Sequence, residues 1–253
     1  MKNISIVLSV LFLSFLLVAC GNSSTSGEMN KKTNEETKEK KEIVKTKVAD
    51  KAAYIWTDDS IGGLTQINTY AIIKNTGNTT VDVTNTKITY LNKEKEVLGV
   101  TKANQLYTNI SPSIIEPGET SYLGIKDDAT DEMENLDDIK IEVSPVAVKN
   151  NMINLNPSKE KVITSDNWGG DVKVTGLLKN NTNKDAASLE VAAALYSKKD
   201  KFLGVLFLSS DDETEIPSKK ETSIELSIPG FPSNKINEIS KAKLVAKAPE
   251  IED

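Results

Sequence analysis

The side chains able to do chemistry in this chain are few, and two whole classes are absent. All 31 basic residues are Lys; there is no His and no Arg. Without imidazole there is no His-dependent triad, no imidazole metal ligand and no imidazole pH switch. Without guanidinium the bidentate fork that recognises phosphate and carboxylate is missing. Carboxylates remain. Asp127, Asp128, Asp131, Glu132, Glu134, Asp137 and Asp138 crowd one stretch, and Asp211, Asp212, Glu213 and Glu215 crowd another. Calcium needs converging oxygens, usually from a loop alternating Asp or Asn with a Gly at the bend. Neither stretch alternates in that way, so solvated loops are the preferred reading and no metal site is assigned. Asp59 and Asp166 precede matching Gly-Gly pairs, and a carboxylate pair is the one common hydrolytic device needing neither His nor Arg. Asp before Ser or Asn and Gly-Gly is more often a turn residue bonding its own backbone. The expectation is therefore a protein that is not an enzyme and has no cofactor.

Aromatic residues supply the candidate contacts. Trp56 and Trp168 are the only tryptophans; Trp56 falls on a strand and Trp168 in the turn before one. A tryptophan can plug the end of a β-sandwich or anchor an interface from an exposed loop. Phe231 lies in Pro229-Gly230-Phe231-Pro232, where no alternation assigns it to a core. Phe231 and Trp168 are the candidate partner contacts, with Phe231 expected at an exposed loop tip.

The lone thiol, Cys20, follows an apolar run from Ile4 to Ala19 that begins after Lys2. The run is short for a membrane span. A basic start, apolar middle and small-residue end are the marks of a secretory signal. Leu17-Val18-Ala19-Cys20 resembles the lipobox of bacterial lipoproteins. The resemblance implies removal of residues 1–19 and a diacylglycerol on Cys20, hence a membrane-anchored protein on the extracytoplasmic face. Residues 20–51 are rich in Lys, Glu, Ser, Thr and Asn, too polar to bury a core, and read as a disordered tether. The formal charge of −6 opposes nucleic acid as a partner.

The elements that must position these residues come in duplicate. Ile67-x-Thr69-x-Ala71-x-Ile73-Lys74-Asn75 recurs as Val172-x-Val174-x-Gly176-x-Leu178-Lys179-Asn180, and Leu98-Gly99-Val100 as Leu203-Gly204-Val205. Ile115-Glu116-Pro117 is answered by Glu215-Ile216-Pro217, and Met133, Leu136 and Ile141 by Ile236, Ile239 and Leu244. A period this long indicates two whole domains and excludes a solenoid. Inside each copy the apolar period is two, which predicts half-buried strands. Copy two alternates cleanly at Leu189, Val191, Ala193 and Leu195 and at Ile224, Leu226 and Ile228; copy one is noisier. Asn and Gly in Lys74–Asn78 and Lys179–Asn183 suit turns that visit positive φ, and Pro117-Gly118 forms a corner. Apolar spacing of three predicts short helical turns near Met133–Leu136 and Ile236–Ile239. These signals give two tandem Ig-like β-sandwich domains, at 52–149 and 151–250.

The centre of each copy, Ile88-Thr89-Tyr90-Leu91-Asn92 and Ala193-Ala194-Leu195-Tyr196-Ser197, resembles the FxLYD family of bacterial surface domains. The Leu-Tyr pair is intact at Leu195-Tyr196; Ile88 or Ala193 replaces the family's Phe, and Asn92 or Ser197 its Asp. The resemblance implies a β-sandwich on a secreted or lipid-anchored protein, with no catalytic residue to carry over. The expected function is a lipid-anchored envelope protein whose two modules bind a protein or envelope component. A cation- or solute-binding lipoprotein and a carboxylate-based wall hydrolase are the alternatives.

Overall fold

In the computed structural model, the strands of each copy pair as antiparallel sheets folded over an apolar centre. The structure describes residues 41–58, 62–102, 108–149, 151–165, 171–208, 214–229 and 231–250. Copy one contains β1 (Thr46–Asp58), β2 (Leu64–Asn75), β3 (Val81–Asp82), β4 (Thr86–Leu91), β5 (Val97–Lys102), β6 (Thr108–Ser111), β7 (Ile114–Ile115), β8 (Thr120–Asp128), β9 (Asp138–Val143) and β10 (Val146–Ala147). Copy two contains β11 (Met152–Ser165), β12 (Asp171–Asn180), β13 (Glu190–Ser197), β14 (Phe202–Phe207), β15 (Glu221–Pro229) and β16 (Ile239–Pro249). One sheet of copy one runs β1-β2-β8-β6 and another β5-β4-β9. Copy two reproduces both, as β11-β12-β15 and β14-β13-β16, with the start of β11 crossing to pair with β16. The chain is an all-β sandwich protein.

The two expected helical turns are present. A 3-10 turn at Asp131–Asn135 buries Met133, and α1 (Ser233–Ile236) buries Ile236. Each precedes the last long strand of its copy, where one apolar side chain closes the end of the sandwich.

The tether gives way to the fold earlier than composition indicates. Thr46–Lys51 are already in β1, paired with β2 from Thr46↔Asn75 onward, and one compact unit begins at Lys41. The boundary at residue 52 is therefore corrected to the start of β1. Backbone pairing holds this stretch, so Lys47 and Asp50 stay in water and the composition remains that of a linker.

The repeated Lys-Asn turns work through a side chain. Asn75 and Asn180 are fully buried. Asn75 Nδ2 donates to the carbonyls of Thr79 at 2.8 Å and Ile115 at 3.0 Å; Asn180 Nδ2 donates to Lys184 at 2.8 Å and Ile216 at 3.0 Å. One amide thus ties a strand end to the distant Pro corner in both copies, and a buried backbone carbonyl is satisfied each time. The correspondence is Ile115 with Ile216, one residue out of the pairing suggested by the sequence. No described residue of either turn has positive φ, whereas Gly118 at the corner does, at 87°.

Candidate interaction surface

The two copies meet through different faces. The outer side of β1-β2-β8 in copy one lies against the outer side of β14-β13-β16 in copy two. Tyr70 on β2 stacks on Phe231, with ring centroids 6.0 Å apart and planes 19° apart. Gly124 on β8 lies under Phe207: a Cβ there would sit 2.5 Å from the Phe207 ring. Gly204 on β14 leaves room for both Phe231 and Tyr70, since its Cβ would fall 2.8 Å and 3.1 Å from their rings. Tyr122 and Tyr196 share a side-chain hydrogen bond across the seam. Copy one has its own apolar centre, whereas the centre of copy two includes Tyr70 and Tyr122 of copy one.

Polar contacts fix the rim. Glu190 accepts from the Ser113 backbone N–H at 2.5 Å and from its hydroxyl at 2.8 Å. Lys247, 5% exposed, places its ammonium 2.5 Å from Glu119 and 3.6 Å from Glu116. A buried ammonium is tolerated only when paired in this way. Burial pushes the Tyr54 hydroxyl up to about 12 and raises Tyr70 and Tyr122 well above the ordinary phenol range. Tyr196 is also raised, again chiefly by burial. Low polarity around a phenol disfavours its anion.

Phe231 is fully buried, which corrects the exposed loop tip expected for it. Its ring packs over Gly204 and against Tyr70, so it has no surface from which to touch a partner. Trp168, Cys20, Asp59 and Asp166 lie outside the described residues. Trp56 is 8% exposed, on the outer side of β1 beside the seam. Its indole N–H donates to Asn68 at 3.2 Å, Asn68 donates to the Tyr70 hydroxyl at 2.8 Å, and the Lys126 ammonium sits 5.6 Å above the ring.

The acidic stretch of copy one is dispersed along three elements. Asp127 accepts from the Thr101 hydroxyl at 3.2 Å, Asp128 from Gln66 at 2.6 Å and Asp138 from Lys51 at 2.8 Å. The Lys51 hydrogen bond holds the Asp138 carboxyl below the usual range. Among the described residues, no group of three or more candidate ligands is placed to hold a metal ion. No described helix is long and apolar enough to cross a membrane.

The face of copy one equivalent to the docked face of copy two lies in water. Lys87, Lys102, Lys140 and Glu142 point outward from β4, β5 and β9, and on edge strand β5 Val97 is 61% and Val100 48% exposed. The strand register equates Val97 and Val100 with Phe202 and Val205, both buried. Sequence reasoning found these strands but not the seam, whose one signal is the unbroken apolar run Phe202–Phe207. No protein-family model matches the chain, and no curated protein sequence matches it.

Proposed function

We propose that this is a lipid-anchored protein of the cell envelope that presents a rigid, non-catalytic pair of β-sandwiches to a protein or envelope component. The lipobox-like Cys20 and the resemblance to FxLYD domains support the location and the role. The observation that carries the reading is the exposed edge strand β5. Its counterpart β14 is one of the strands through which copy two meets copy one, and Val97 and Val100 keep apolar side chains at the corresponding places in water. An unpaired edge with apolar side chains is a surface for strand-to-strand or face-to-face contact.

Two experiments test it. The mature protein is used to capture material from intact cells, beside a Val97→Ser/Val100→Ser variant. Capture by the parent and loss in the variant support the reading; equal capture by both removes β5 as the contact. Cys20→Ser should abolish lipid labelling and leave the precursor unprocessed, and normal labelling of that variant rules out the anchor. Release of soluble fragments from purified envelope by the parent would instead establish the hydrolase.

A further inference from the structure

Residues 41–45 lie as an extended strap on the turn at the end of β2. The backbone N–H groups of Thr76 and Gly77 donate to the Lys45 carbonyl at 2.8 Å and 3.0 Å, and that of Asn78 donates to Ile43 at 3.0 Å. The Asn78 side chain completes the bracket: its Oδ1 accepts from the Ile43 N–H at 2.7 Å and its Nδ2 donates to the Lys41 carbonyl at 3.1 Å. Side-chain burial contributes little, because Ile43 is 50% and Val44 41% exposed. The strap is therefore held by backbone groups, the Asn78 side chain and the Thr76 hydroxyl, which donates to the Lys45 carbonyl at 3.4 Å.

Gly77 stands at the closest approach. A Cβ there would lie 2.0 Å from the Ile43 carbonyl oxygen and 3.0 Å from the Lys45 nitrogen, both main-chain atoms with no rotamer to yield. Its φ lies outside the left-handed region, so the turn itself does not require glycine. The strap does. Copy two has the same asparagine device but carries Thr182 in place of Gly77. Thr182 already has the Cβ, and its hydroxyl is spent on Asn180 Oδ1 at 2.7 Å and the Lys184 carbonyl at 3.0 Å.

The geometry points to Gly77 as the residue that makes the copy-one turn a receptor for residues 41–45, with Thr182 closing the equivalent turn of copy two to such a segment. The described contact runs from Lys41, whose carbonyl is held by Asn78, to Lys45. In the anchored protein proposed above, that contact would take residues 41–45 out of the free tether. The strap contact itself does not depend on the anchor.

Hydrogen exchange and trypsin cleavage of the full mature protein in detergent provide the test. Gly77→Ala should raise exchange at the Ile43 and Asn78 amides about tenfold or more and speed cleavage after Lys45, while the central amides of β2 and β8 keep their protection. Asn78→Ala should release Lys41–Ile43, and Thr182→Gly should leave the strap unchanged. Unaltered strap protection in Gly77→Ala overturns the inference. So does a uniform rise across β2 and β8, which would give the glycine to the fold instead of the strap.

Discussion

The same two sheet faces occur twice in this molecule and meet opposite fates. On the β14-β13-β16 face, Ala192, Ala194, Phe207 and Val245 are covered by copy one; the register places Lys87, Thr89, Lys102 and Glu142 at the same positions of the solvated face. On the other face, Tyr70, Tyr122 and Gly124 of copy one are docked, where copy two has the half-buried Thr175 and the exposed Ser223 and Glu225. Backbone geometry is shared, so side chains alone decide which face is buried. Along the middle of the seam, small, aliphatic or aromatic residues stand where the free faces carry lysine and glutamate, and the charges of Glu190 and Lys247 make contact only at its rim.

The seam is head-to-tail, joining one kind of face to the other. Such contacts close only where successive rotations complete a ring, and otherwise let further units add at either end. The charged residues at both outer faces, including the Lys173–Glu225 pair at 2.7 Å, act as the polar caps that end a repeat stack.

Alkaline pH should break the seam most completely. The native phenols of Tyr54, Tyr70 and Tyr122 ionise above the ordinary value near 10, whereas those of the unfolded chain do not. Folding is thus fully supported below pH ~10 and loses up to about 1.4 kcal/mol per pH unit for each of Tyr70 and Tyr122, and less for the partly wet Tyr54, as pH rises toward the native values. The chain should unfold cooperatively above pH ~11, with tyrosinate absorbance rising in the same step. Gradual ionisation of a folded protein, read by circular dichroism, would show that the phenols are not enclosed.

Next in size is Phe231→Ala, expected to cost about 3–5 kcal/mol and to lower the melting temperature sharply, because the cavity opens between both copies. An unchanged melt would restore the residue to a surface role. Lys247→Ala should cost about 2 kcal/mol, below a fully enclosed pair because Glu116 and Glu119 remain partly wet. Urea titration at low and high salt measures it. Gly124→Ala, one methyl group pressed into Phe207, should cost about 1–3 kcal/mol, read as a lower urea midpoint with unchanged slope.

Much of the fold was legible because most strands have one dry face. From Ser223 to Ser227 β15 reads exposed-buried, with Ile224, Leu226 and their wet neighbours Ser223 and Glu225. The noise in copy one has a physical cause. β2 is buried on both sides, Ile67, Thr69, Ala71 and Ile73 toward its own core and Asn68, Tyr70 and Ile72 toward copy two, so no period of two survives. Phe231 misled because a Pro-framed segment outside a strand looks like a loop tip, and nothing local announces the Tyr70 ring that covers it. Gly77 looked like a turn glycine because the strap that needs it comes from a segment composed like a linker. Contacts between distant segments leave their mark as a missing side chain, and the sequence does not say which neighbour required its absence.

The smallest expected effect sharpens the comparison most. Lys87 and Ala192 occupy the same register position, one in water and one fully buried at the seam. Lys87 pairs loosely with Glu142 at 3.8 Å, both side chains nearly half exposed, so Lys87→Ala should change stability by no more than about 0.5 kcal/mol. Ala192→Lys, the reciprocal change, forces a long cation into a packed apolar seam and should prevent the two copies from docking. Urea melts measure both, and the ratio of the two effects is the quantity of interest. Comparable costs would mean that the two faces are equally buried and that charge does not distinguish the docked copy from the free one.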